Sequence, residues 1–131
     1  MIEESFVSFE TAKKLKEKGF DEPCQYFYKS DSNEIYRGTV FTNSQIGDKF
    51  YNAPTLWMVC RWLREMHKIF IQIELYSKYD DYKYEIFQNT HRLWFEKTEI
   101  FNSPEEACKA AIKYCLENLI LNYEKRVQFI L

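Results

Sequence analysis

A chain of 131 residues, 46% hydrophobic and 29% charged with only three Gly and three Pro, has the composition of one ordered domain and excludes a linker or a low-complexity segment. At this length roughly two thirds of the unfolded surface is expected to be buried. Net charge is −2 and Lys and Arg are scattered, which excludes a strong positive field for polyanions, and no apolar run is long enough to span a membrane.

In chain order, Ser8 is an N-cap preceded by apolar Val7, and Phe9, Ala12 and Leu15 share one face of a short helix. Gly19 is placed for a left-handed C′ residue with Phe20 packing back on Leu15, so this helix is expected to end near Lys18. Cys24 to Ser30 and Ile35 to Phe41 are aromatic and β-branched runs around the polar turn Asp31-Ser32-Asn33-Glu34, an expected hairpin in which Gly38 marks a bulge. Thr42 to Asn52 is polar with a Gly47-Asp48 turn signal, and its length makes it the segment expected to be mobile.

Pro54 opens an amphipathic helix reaching His67, with Leu56, Val59, Cys60, Leu63 and Met66 on the apolar stripe, widened by Trp57 and Trp62. Ile69 to Ser77 switches to a two-residue period, with Ile69, Ile71, Ile73 and Leu75 facing inward and Phe70, Gln72, Glu74 and Tyr76 outward. Turns at 78–81 and 89–91 set off strands from Tyr82 to Gln88 and from Leu93 to Phe101, an antiparallel meander. Ser103 with Glu106 forms a capping box around Pro104 at the first helical position, and Cys108, Ala111, Ile112, Cys115, Leu116 and Leu119 form the last helix's stripe. The tail from Tyr123 to Leu131 is expected to dock or to meet a partner.

The expected fold is therefore α+β, order α-β-β-α-β-β-β-α, with residues 1–131 one domain. A three-stranded meander plus an N-terminal hairpin packs against two or three helices. Ten Tyr, eleven Phe and three Trp exceed what such a core needs. Alternation puts Phe70, Tyr76, Phe87, Trp94 and Ile100 on the uncovered sheet face, an expected interaction surface unless the hairpin folds over it or extends the sheet.

Catalytic material is sparse. His67 ends a helix and His91 sits in a turn, while the adjacent pairs Asp80-Asp81 and Glu105-Glu106 diverge in direction and suit turn and cap roles. No phosphate-loop, dinucleotide or zinc-protease motif occurs, so no catalytic, cofactor or metal residue is assigned. Cys24, Cys60, Cys108 and Cys115 lack metal-ligand spacing and are expected to be buried, reduced thiols. Met1-Ile2-Glu3-Glu4 has no basic or apolar leader character, so a cytoplasmic location is expected.

The α-β-β-β-α order from Pro54 to Leu121 resembles the double-stranded RNA-binding domain. That family presents lysines to phosphate at the start of its last helix; here Pro104, Glu105 and Glu106 occupy those positions and would repel it. A base-stacking platform on the sheet face is opposed by Glu74, Glu85 and Glu96. At whole-chain level, Phe6 to Lys13, Tyr51 to Met58 with Arg61-Trp62-Leu63-Arg64-Glu65, and Glu105 to Glu117 resemble short uncharacterised proteins of phage and integrated mobile elements of gut Bacteroidetes. The resemblance implies a phage or prophage setting, in the host cytoplasm, and transfers no activity. The expected function is non-catalytic protein–protein interaction or self-assembly, without cofactor, nucleic acid or membrane. The alternatives are a nucleic-acid-binding module and an enzyme with Thr42–Asn52 as its lid.

Overall fold

The computed structural model describes residues 5–77, 79–88, 93–96 and 99–120, with the backbone alone at residues 77 and 93–96. The elements run α1 (Phe9–Glu17), β1 (Cys24–Lys29), β2 (Ile35–Phe41), α2 (Asn43–Ile46), β3 (Phe50–Asn52), α3 (Leu56–His67), β4 (Ile69–Ser77), β5 (Asp81–Gln88), β6 (Leu93–Glu96) and α4 (Pro104–Asn118). The class is α+β. The chain divides into two compact units, Met1–Thr55 with Leu116–Leu131, and Leu56–Cys115.

In the first unit, Ser8 caps α1 by accepting a hydrogen bond from the Thr11 amide at 3.2 Å. The helix ends in a full Schellman motif: Gly19 has φ 89°, its amide donates to Lys16, and the Phe20 amide donates to Leu15. Ala12, Leu15 and Phe20 are buried as a result. Phe9 meets Tyr28 and Tyr51 edge-on, with ring centroids 5.8 and 5.7 Å away. The returning segment is held by the Lys14–Glu117 ion pair and by Lys18 Nζ donating to the Ile120 carbonyl at 2.8 Å. Ile120 is buried where Leu119 was expected.

The hairpin does not extend the meander. It belongs to its own antiparallel sheet of order β2-β1-β3, because β3, inside the segment expected to be a mobile loop, pairs with β1. Polar residues build that segment instead of leaving it free. Buried Asn43 donates to the Phe20 carbonyl at 2.9 Å and accepts from the Asn52 amide at 2.9 Å, and Asn52 Nδ2 donates to the Phe41 carbonyl at 2.6 Å. Asp21 accepts from the amide and hydroxyl of Ser44 at the start of α2. The β1–β2 register shifts between the Cys24–Phe41 and Tyr26–Arg37 pairs, so the extra residues lie around Gly38. A side chain on Gly38 would stand 2.9 Å from the Phe27 ring.

In the second unit, α3 buries Leu56, Val59, Trp62 and Leu63, whereas Trp57 and Met66 are exposed. His67 packs edge-on to Trp62 at 4.7 Å, and Lys68, at φ 55°, turns the chain straight into β4. The sheet has order β4-β5-β6, antiparallel throughout. Ile69, Tyr84 and Ile86 are buried on its inner face, as are Ala107, Ala111, Ile112 and Cys115 of α4. Of the expected third strand, Leu93–Glu96 is described as β6, residues 99–100 are not strand, and Phe101 pairs with Tyr82 through two backbone hydrogen bonds of 2.8 Å. Ser103 Oγ accepts from the Glu106 amide at 3.1 Å, capping α4.

Candidate functional site

Strand alternation builds the outer face of β4 and β5. Cross-strand partners on this face are Phe70 with Phe87, Gln72 with Glu85 and Glu74 with Lys83. The two phenylalanine rings lie 6.5 Å apart and each residue is 42% exposed. Beside them Gln72 and Glu85 complete a groove of ≈ 440 Å³ lined also by Ile71. Next along the face, Lys83 Nζ sits 3.7 Å from the Glu74 carboxylate and 5.7 Å from the Tyr76 ring centroid. The face therefore has an aromatic end, a polar middle and a second aromatic end.

Of the five residues expected to form one surface, four have described side chains, and these are spread along the face and beyond it. Phe70 and Phe87 meet. Tyr76, 58% exposed, lies six residues along β4 from Phe70, about 20 Å at strand rise. Ile100, 47% exposed, lies outside the strands, just before the Phe101 bridge. Trp94 occupies the β6 position opposite Phe87 in the register, and its side chain lies outside the described residues. The inward-facing expectation for β4 holds for buried Ile69 and half-buried Ile71 and Ile73, and fails at Leu75, which is 60% exposed. Alternation decides which face a residue is on, whereas cover decides whether that face is dry, and cover is absent at the far end of β4.

Among the described residues β4 has a strand partner on one side only, so nine residues of edge are presented with Phe70, Leu75 and Tyr76 exposed along them. Sequence reading passed over this edge. The available signal was the placement of β4 as the first strand of a meander, which puts it at a margin.

Elsewhere, several polar groups are committed to structure, while the buried Asn52 Oδ1 has no hydrogen-bond partner among the described residues. In the first unit a cavity of ≈ 280 Å³ is lined by Lys16, Phe20, Asp21 and Asn43, among others. Lys16 Nζ donates to the carbonyls of Gly47 and Phe50, and partial burial lowers its pKa against the raising effect of Asp48. Asp21 holds Ser44. The segment expected as a lid is the α2–β3 structure pinned by Asn43. His67 packs on Trp62, and His91 lies outside the described residues. Among the described residues no group of three or more His, Cys, Asp or Glu gathers as metal ligands, and no helix is long and apolar enough to cross a membrane.

The cysteines depart from expectation. Cys24 and Cys115 are buried, and burial, mainly, pushes each thiol up to about 12. Cys60 and Cys108 are only half-buried and face one another with Sγ atoms 3.5 Å apart. Each stands one residue past a fully buried stripe position, Val59 and Ala107, so each lies at the border of its stripe. Compared with known protein families, curated proteins and solved structures, the chain has no match.

Proposed function

We propose that this chain is a non-catalytic assembly protein that pairs with a second copy of itself through the β4 edge. The observation that carries the reading is the nine-residue β4 edge without a strand partner among the described residues, with large apolar side chains exposed at both ends. Antiparallel pairing of β4 with its own copy about Ile73 sets Phe70 opposite Tyr76, Ile71 opposite Leu75 and Gln72 opposite Glu74. Every exposed apolar residue of the edge then gains an apolar neighbour, and no like charges oppose each other. The two three-stranded sheets become one of six strands, and the Phe87–Phe70 pair continues across the junction to Tyr76 of the second copy.

Charge supports a protein partner over a nucleic acid, since Glu74 and Glu85 stand on this face beside Lys83. The four free cysteines support a reducing cytoplasm as the setting, and the phage or mobile-element context is carried with this reading.

Sedimentation of the native chain and of Leu75→Lys tests the proposal. Leu75 is exposed, so the variant keeps its fold and places an ammonium group against Ile71 of the other copy. The native chain is expected to reach twice its 16.0 kDa mass as concentration rises, and the variant to remain single. A native chain that stays single, or a variant that pairs as tightly, would remove the β4 edge as the assembly surface.

A further inference from the structure

We propose that Cys60 and Cys108 form a reversible redox site, in which a hydroperoxide drives closure of a disulfide between α3 and α4. This goes beyond the assembly reading and uses none of its residues. Both cysteines belong to the same compact unit, on helices that hold their Sγ atoms 3.5 Å apart, and both are half-buried where Cys24 and Cys115 are buried. A disulfide needs ~2.05 Å between sulfurs, so closure asks for an approach of about 1.5 Å, a modest side-chain adjustment. Structural cysteines are inert because they are covered, whereas reactive ones are partly exposed, as these two are.

The pair also divides the roles. The two thiols share one hydrogen bond in which either sulfur can donate; that bond, with Arg64 nearby, lowers the Cys60 pKa against the opposing effect of burial. The same hydrogen bond, followed by burial and the negative charges of Cys60, Cys115 and Glu105, raises that of Cys108. With cationic Arg64 near Cys60 and anionic Glu105 near Cys108, Cys60 is taken as the nucleophile and Cys108 as the resolving thiol.

The Cys60 thiolate attacks one oxygen of hydrogen peroxide and the O–O bond breaks. The hydroxide released takes up the proton that Cys60 gave up and leaves as water, while Cys60 becomes a sulfenic acid. The Cys108 sulfur then attacks the Cys60 sulfur, the S–O bond breaks, and the departing hydroxide leaves with the Cys108 proton as a second water. The sulfur pair loses two electrons and the peroxide gains two. A thiol reductant reverses the bond by exchange.

Peptide mapping after exposure of the native chain to hydrogen peroxide, with free thiols alkylated under denaturing conditions and no reductant, tests the site. The expected product is the Cys60 peptide joined to the Cys108 peptide, lighter by two hydrogens, with Cys24 and Cys115 alkylated and the link lost in dithiothreitol. The Cys115→Ser variant should give the same link. In Cys60→Ser, loss of the Cys108 thiol to peroxide should slow at least tenfold. Free alkylation of Cys60 and Cys108 after peroxide, a link to Cys115 instead, or an unchanged rate at Cys108 in Cys60→Ser would overturn the proposal. The native map alone decides if a variant fails to fold.

Discussion

Replacing Asn43 by Ala tests whether the 42–52 segment is built or merely traverses the surface. The amide side chain makes two bonds, one to the Phe20 carbonyl and one from the Asn52 amide, each 2.9 Å, in a place where Asn43 is 5% and Asn52 0% exposed. A made hydrogen bond is worth about 1 kcal/mol net, but removing one partner from a buried pair leaves the other desolvated at about 1–3 kcal/mol. Two such losses give about 2–6 kcal/mol. Ser44→Ala is the matched control, since its hydroxyl also bonds a side chain, Asp21, yet Ser44 is exposed and water replaces the contact, for a loss under about 1 kcal/mol. Urea unfolding followed by far-UV circular dichroism, with amide exchange at Asn52 as the local probe, reads both variants. An Asn43→Ala loss below about 1 kcal/mol, equal to that of Ser44→Ala, would show that the buried amide does not hold β3 to the rest of its unit.

Two further outcomes follow from local conformation and from burial. Gly19→Ala should destabilise by about 1 kcal/mol in the same urea assay, because φ 89° is open to glycine and strained for alanine, while Lys13→Ala at an exposed position of α1 should change far less. Alkaline pH should weaken the fold in a defined window. Burial raises Cys24 and Cys115 from 9.0, and Tyr84 from 10.0, each to about 12, so each group favours the folded state in its neutral form. That contribution is whole below the unfolded values and is lost as pH climbs through the folded ones. Melting temperature should therefore be level up to about pH 9 and fall between about 9 and 12, and a flat profile to pH 12 would contradict the assignment of these groups as buried and neutral.

What the sequence made legible is what local chemistry dictates. Ser8, Gly19 and Ser103 mark helix ends because caps are satisfied within three or four residues, and the β4 alternation is correct because side chains on a strand must face opposite ways. Asn43 and Asn52 were read as loop residues because polarity alone does not distinguish a solvated amide from one that ties three backbone segments together. Leu75 was assigned to the interior because period reports direction and not cover. The Cys60–Cys108 pair was invisible to spacing rules, since 48 residues separate the two positions and only the packing of α3 and α4 brings the sulfurs together. The aromatic surface was legible as a list of exposed rings and not as a geometry, because Phe70 and Tyr76 share a face while a polar ladder of Gln72–Glu85 and Glu74–Lys83 stands between them.

One copy of this chain is proposed to meet another along the β4 edge that has no strand partner among the described residues. Amide hydrogen exchange across Ile69–Ser77, recorded in dilute and in concentrated solution, reads that edge directly. Pairing predicts that the β4 amides pointing away from β5 become protected as concentration rises, while those of the β1–β2 hairpin keep their rates. Identical exchange along β4 at both concentrations, or new protection confined to another element, would contradict it.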